Sequence, residues 1–139
     1  MYGMVGGEAN AIQPGKRMLS SMTPTIVFKD GKVYLLTGSP GGSTIITTVM
    51  QVMLNVLEHE IPLQRAIAAP RFHHQWLPDQ IRMERIGFSR DVLDTLKSLG
   101  HEIRPVTNLG DVHAILIDPK SGVYFGASDP RRGGAARGY

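Results

Sequence analysis

The segment TPTIVFKDGKVYLLTGSPGGSTIITTVMQVMLNVLE, residues 23–58, sets two β-rich runs and a glycine pair ahead of a long apolar stretch. Thr23–Lys29 and Lys32–Thr37 alternate β-branched, aromatic and polar residues around Asp30-Gly31, a dipeptide suited to both central positions of a two-residue hairpin turn. An antiparallel hairpin is expected. After GSPGG, polar residues fall at Thr44, Thr48, Gln51, Asn55 and Glu58, three or four apart, which predicts a helix over 43–58 with one narrow wet stripe. Ile45, Ile46, Val49, Met50, Val52, Met53, Val56 and Leu57 fill the remaining surface, so most of this helix is expected to be buried. Gly41 and Gly42 stand at its head. Backbone N–H groups there lack helical partners and sit at the positive end of the helix dipole, which suits an anion or a developing oxyanion. A tight strand-to-helix turn that needs positive φ would use glycines in the same way, and spacing alone leaves both readings open. The lysine and the four-residue spacer of a nucleotide-binding P-loop are missing.

Downstream, Pro62 opens a short helix over 63–69, and Pro70 ends it by pushing the preceding residue out of the α region. Arg71–Trp76 and Gln80–Arg85 read as extended. Ser89 is a good N-cap, and Val92, Leu93, Leu96 and Leu99 form an amphipathic helix that stops at Gly100. His101–Val106, Val112–Asp118 and Val123–Gly126 are strand candidates, the last two joined by PKSG. Hairpins with two main helices to cover a mostly antiparallel sheet define the α+β class, in one domain over 1–139. Residues 1–19 read as an opening loop, and 129–139 as a tail without periodicity.

The 139 residues include no cysteine, which removes disulfides, thiolate catalysis and thiolate metal sites. A net charge of +3 with scattered basic residues gives only a weak electrostatic footprint for nucleic acid or anionic membrane. Arg131, Arg132 and Arg137 read as a solvated end. No apolar run reaches the roughly 18 residues of a membrane span.

Ser20 and Ser21 precede the first strand; paired hydroxyls can donate to a carboxylate or merely bond their own turn. His73 and His74 are adjacent, so on a strand they point to opposite faces and cannot share one metal; no metal site is expected. GSPGGS is not a nucleophile elbow, because its glycines are misplaced. An anion cradle is present, and no attacking group is evident.

KRMLSSMTPTIVFKDGKVYLLTGSPGGSTIITTVMQVMLN, APRFHHQWLPDQIRME and YFGASDPR, in this order, resemble the second part of the small subunit of γ-glutamyltranspeptidase, also called glutathione hydrolase. The resemblance covers almost the whole chain. It implies part of an αββα sandwich of the N-terminal-nucleophile hydrolase type, in which an N-terminal threonine attacks a γ-glutamyl amide and the acyl group passes to water or an amino acid. It further implies that Ser20 and Ser21 bind the α-carboxylate of the γ-glutamyl group and that Gly41 and Gly42 form the oxyanion hole. The family's catalytic threonine, its upstream acidic residues and its large subunit have no counterpart in this chain, so the chain by itself is expected to be inactive. No cofactor is expected, since acyl transfer through a threonine ester needs only nucleophile, amine base and oxyanion hole. Glutathione-like substrates, the missing subunit portions and a second copy of the chain are the expected partners, and the resemblance implies a periplasmic, secreted or surface location. A self-associating binding module is the alternative from another class, and a phosphate-binding module a third.

Overall fold

A computed structural model describes residues 6–18 and 22–139. Four strands, β1 (Thr25–Lys29), β2 (Lys32–Gly38), β6 (His113–Ile117) and β7 (Tyr124–Ser128), form an antiparallel sheet in the order β1-β2-β6-β7. Asp30 (φ 52°) and Gly31 (φ 75°) both adopt left-handed conformations, the geometry that matches a tight hairpin to strand twist. A bulge between Val27 and Phe28 lets the register slip by one residue beside the turn. Leu35 lies opposite Val27 and Leu116, and Thr37 opposite Ala114, which in turn faces Ala127.

These rows define the covered face. Helices α1 (Ile45–Leu57) and α2 (Leu63–Ala68) pack on it, burying Val52, Val56, Ala66 and Ile67 against Leu35, Val112, Ala114 and Ala127. At about 25 cal/mol per Å² of apolar surface, each valine, leucine or isoleucine among them contributes on the order of 1.5–3 kcal/mol and each alanine about 0.8 kcal/mol or less. The opposite face carries Ile26, Leu36 and Ile115 in one cross-strand row, with Ile26 and Ile115 exposed.

A second sheet, β3 (Phe72–His73), β4 (Ile81–Glu84) and β5 (Ile103–Val106), pairs β3 with β4 antiparallel and β4 with β5 parallel. Parallel neighbours need a crossover, supplied by α3 (Arg90–Ser98), which packs on β5. Gly100 (φ 92°) ends α3, and the N–H of His101 donates to Leu96 O at 3.1 Å.

The wet stripe expected on α1 is corrected. Thr44 and Thr48 are buried, while Ile46, Met50 and Leu54, each four residues apart, are 68%, 46% and 43% exposed. Glu58 is exposed as expected, but Thr44, Gln51 and Asn55 turn toward polar partners. Thr44 Oγ1 donates to Gly41 O, Asn55 Nδ2 to Ala66 O, and Gln51 clasps the backbone of Phe72, donating to its carbonyl at 2.8 Å and accepting its N–H at 3.1 Å. Short hydrogen-bonding side chains thus take the packed side of the helix, and three apolar ones face outward.

Candidate functional site

The turn from β2 into α1 is built by two glycines that few other residues could replace. Gly41 sits at φ 147° and Gly42 at φ 60°, and a Cβ on Gly41 would lie 2.6 Å from Thr44 Oγ1. Thr44 closes the turn, its N–H and hydroxyl both donating to Gly41 O at 3.2 and 2.9 Å. Among the described residues, neither the N–H of Gly41 nor that of Gly42 donates a hydrogen bond to another group. Both glycines line a cavity of about 600 Å³ with Met22, Pro24, Ser39, Ile45, Asp111 and His113. Ser20 and Ser21 lie outside the described residues; Met22 and Thr23, which follow them, form part of the cavity wall.

Residues 109–112 press on the turn from the other side. Gly110 adopts φ 73°, and an added Cβ would come within 2.6 Å of Ser39 Oγ and 2.7 Å of Thr48 Cγ2. The N–H of Asp111 donates to Ser39 Oγ at 2.9 Å. Among the described residues, buried Asp111 Oδ1 has no hydrogen-bond partner, and it lies 3.6 Å from His113 Nε2.

Behind this loop lies a group of four buried charges to which no role is attached in the motif reading. Arg71 Nη1 pairs with Asp129 Oδ2 at 2.8 Å, and Arg131 bridges Asp129 Oδ1 at 3.0 Å and Glu84 Oε2 at 2.6 Å. The reading of Arg131 as part of a solvated end is therefore corrected: its side chain is 9% exposed, and that of Asp129 is fully buried. Burial pushes the carboxyls of Glu84 and Asp129 up, but the Arg131 guanidinium and the N–H groups of Leu109 and Val112 more than offset this and hold both below the ordinary carboxylate range. Burial and the neighbouring Arg131 charge lower the pKa of Arg71. Burial also opposes the charge of Arg131, but Glu84 and Asp129 outweigh it and raise its pKa. One local signal of this cluster is visible in SDPR, because Asp129 accepts the N–H of Arg131 two residues on, the bond of an Asx turn.

The two histidines part company as their spacing requires. His73 is buried between Thr47 Oγ1 and Gln75 Oε1, each at 2.8 Å, and His74 Nε2 meets Asp79 Oδ1 at 3.1 Å. Among the described residues no three His, Asp or Glu side chains group to hold a metal ion.

Solved structures share this overall fold. A γ-glutamyltranspeptidase T380A mutant from Helicobacter pylori superposes with a TM-score of 0.90 at 52% identity, over 95% of this chain and 72% of that one. One from Pseudomonas nitroreducens, complexed with L-DON, gives 0.91 at 45%, over 99% and 72%. The architecture is that of an N-terminal-nucleophile hydrolase. The sequence model of the family described as Gamma-glutamyltranspeptidase matches residues 1–139, and the chain belongs to that family. It is 53% identical to the glutathione hydrolase proenzyme of Escherichia coli over 131 residues, covering 94% of this chain and 22% of that protein. The chain thus spans less than a quarter of the length of this relative.

Proposed function

We propose that this chain is the C-terminal portion of the small subunit of a γ-glutamyltranspeptidase, a single domain that supplies the oxyanion hole and the carboxylate-binding serines of an enzyme cleaving γ-glutamyl amides such as glutathione. The glycine turn carries the reading. Two adjacent glycines with positive φ line a cavity at the head of a helix, their N–H groups without an acceptor among the described residues, and rigid donors beside a developing negative charge are what a tetrahedral intermediate requires. Gly41 and Gly42 would receive that charge, and Ser20 and Ser21 would hold the substrate α-carboxylate through hydroxyl donors. No threonine of this chain is assigned as nucleophile, so attack comes from a segment outside it, and the chain alone is inactive.

The test has two parts. The purified chain is assayed for nitroaniline release from γ-glutamyl-p-nitroanilide, and the same chain is grafted in place of the matching segment of the E. coli relative. No release by the chain and release by the graft are expected. A folded graft that hydrolyses nothing, or turnover by the chain alone, refutes the reading. The outward Ile46, Met50 and Leu54 on α1 and the exposed Ile26 and Ile115 on the sheet favour a second reading, self-association of the chain into a homodimer or larger oligomer. Monomeric mass in light scattering would refute it.

A further inference from the structure

Two cations and two anions buried together are a costly way to join β4, α2 and the residues after β7, because desolvation of the ions offsets much of their attraction. We propose that Arg71, Glu84, Asp129 and Arg131 are positioning residues for the Gly41–Gly42 turn, acting through the loop 109–112; the catalytic consequence rests on the oxyanion reading above.

Each end of the loop is gripped by the charged group. Glu84 Oε1 accepts the N–H of Leu109 at 2.8 Å, Arg71 Nη1 donates to Leu109 O at 2.7 Å, and Asp129 Oδ2 accepts the N–H of Val112 at 2.8 Å. Arg131 closes the frame, with Nε and Nη2 donating to the two oxygens of Glu84 at 2.7 and 2.6 Å and Nη1 to Asp129. Every carboxylate oxygen therefore serves the loop or a guanidinium, and all three bonds to the loop terminate on its backbone. The two residues between the grips touch the glycine turn. Asp111 donates to Ser39 Oγ, and the Cα of Gly110 lies 3.8 Å from where a Cβ of Gly41 would stand. Because the Asp111 N–H is bonded to Ser39 Oγ, a shift of the loop is passed to Ser39 and, through the short segment Ser39–Gly42, to the N–H groups of Gly41 and Gly42. Charged hydrogen bonds are shorter and stronger than neutral ones, so they suit a frame that holds a backbone in place. Fixing a donor this closely matters because misplacement by about 1 Å costs on the order of a hundredfold in rate.

The experiment is amide hydrogen exchange on the full 139-residue chain with Asp129→Asn and Glu84→Gln, either of which removes one anion at nearly constant shape. Exchange is expected to rise at least tenfold at 109–112 and at Thr44, whose N–H closes the glycine turn on Gly41 O, while the β1–β2 hairpin keeps its protection. Loosening of 109–112 that leaves Thr44 unchanged overturns the proposal. So does a uniform rise at all amides in both variants, which would mean that the charges only maintain the fold. In the E. coli graft the same variants are expected to lower kcat at least tenfold with donor KM unchanged, and Arg131→Lys to retain more activity than Arg131→Met. A raised KM with normal kcat overturns the catalytic part. A wild-type graft without activity counts against the functional reading, and exchange on the chain still decides the positioning claim.

Discussion

Gly41→Ala is the substitution whose effect can be worked most directly from the coordinates. Gly41 sits at φ 147°, where an L side chain is strained by about 1–3 kcal/mol. The new Cβ would lie 2.6 Å from Thr44 Oγ1. Thr44 is 5% exposed, so its hydroxyl has no open space to turn into and must give up its 2.9 Å bond to Gly41 O. That bond contributes about 0.5–1.5 kcal/mol. Together the losses come to roughly 2–4 kcal/mol, and at ~3–5 °C per kcal/mol for a chain of this size the midpoint should fall by roughly 6–20 °C. Circular dichroism melts measure it. Gly31→Ala is the control, because Gly31 also has positive φ, at 75°, but a Cβ there meets nothing within 4 Å. The alanine stiffens the unfolded chain equally in both variants, so this gain cancels in the comparison. If Gly41→Ala and Gly31→Ala melt within about 0.5 kcal/mol of each other, the steric account of the turn is wrong.

Other outcomes follow from the same geometry. Ser20→Ala with Ser21→Ala in the graft should raise donor KM by about tenfold or more per serine, since a hydrogen bond to a charged group contributes about 1.5–3 kcal/mol; steady-state kinetics with an unchanged KM would remove the carboxylate role. Glu84 and Asp129 have folded-state pKa values below their unfolded ones, so their stabilisation is complete above the ordinary carboxylate range of about 4 and is lost as pH falls through the depressed values. Denaturant midpoints should therefore drop in acid, and Asp129→Asn should flatten that drop; an equally steep fall in the variant would contradict it. Met50→Glu should reduce the apparent mass in light scattering while changing stability by no more than about 0.5 kcal/mol, because Met50 is 46% exposed.

How much could be read from residues alone differed with the range of the interaction. Asp30-Gly31 and Gly100 announce themselves because their left-handed φ is a property of the residue. The glycine turn was visible for the same reason, although its contact with Gly110 was not. The direction of β5 relative to β4 was hidden, because neither strand's composition records whether its partner runs parallel. The wet stripe failed since periodicity counts threonine and glutamine as solvent-seeking, whereas Thr48 packs against Gly110 and Gln51 substitutes for a strand neighbour of Phe72. Arg71 and Glu84 were opaque because the charged partner of each, Asp129 and Arg131, lies 58 and 47 positions away, and nothing next to either in the chain marks it as interior; Asp129 has a near partner in Arg131, but its other partner is the distant Arg71.

The buried charges also say something about time. They draw together β4, the end of α2 and the residues after β7, so the group cannot assemble until both sheets have formed and docked. Contacts of that kind are expected to form after the rate-limiting step of folding, in which case weakening them accelerates unfolding and leaves folding nearly unaffected. In a chevron experiment, Glu84→Gln should lift the unfolding arm and spare the folding arm, and a slowed folding arm would place the cluster in the nucleus. The same four side chains would then set how long the native chain lasts, whatever they contribute to how fast it forms.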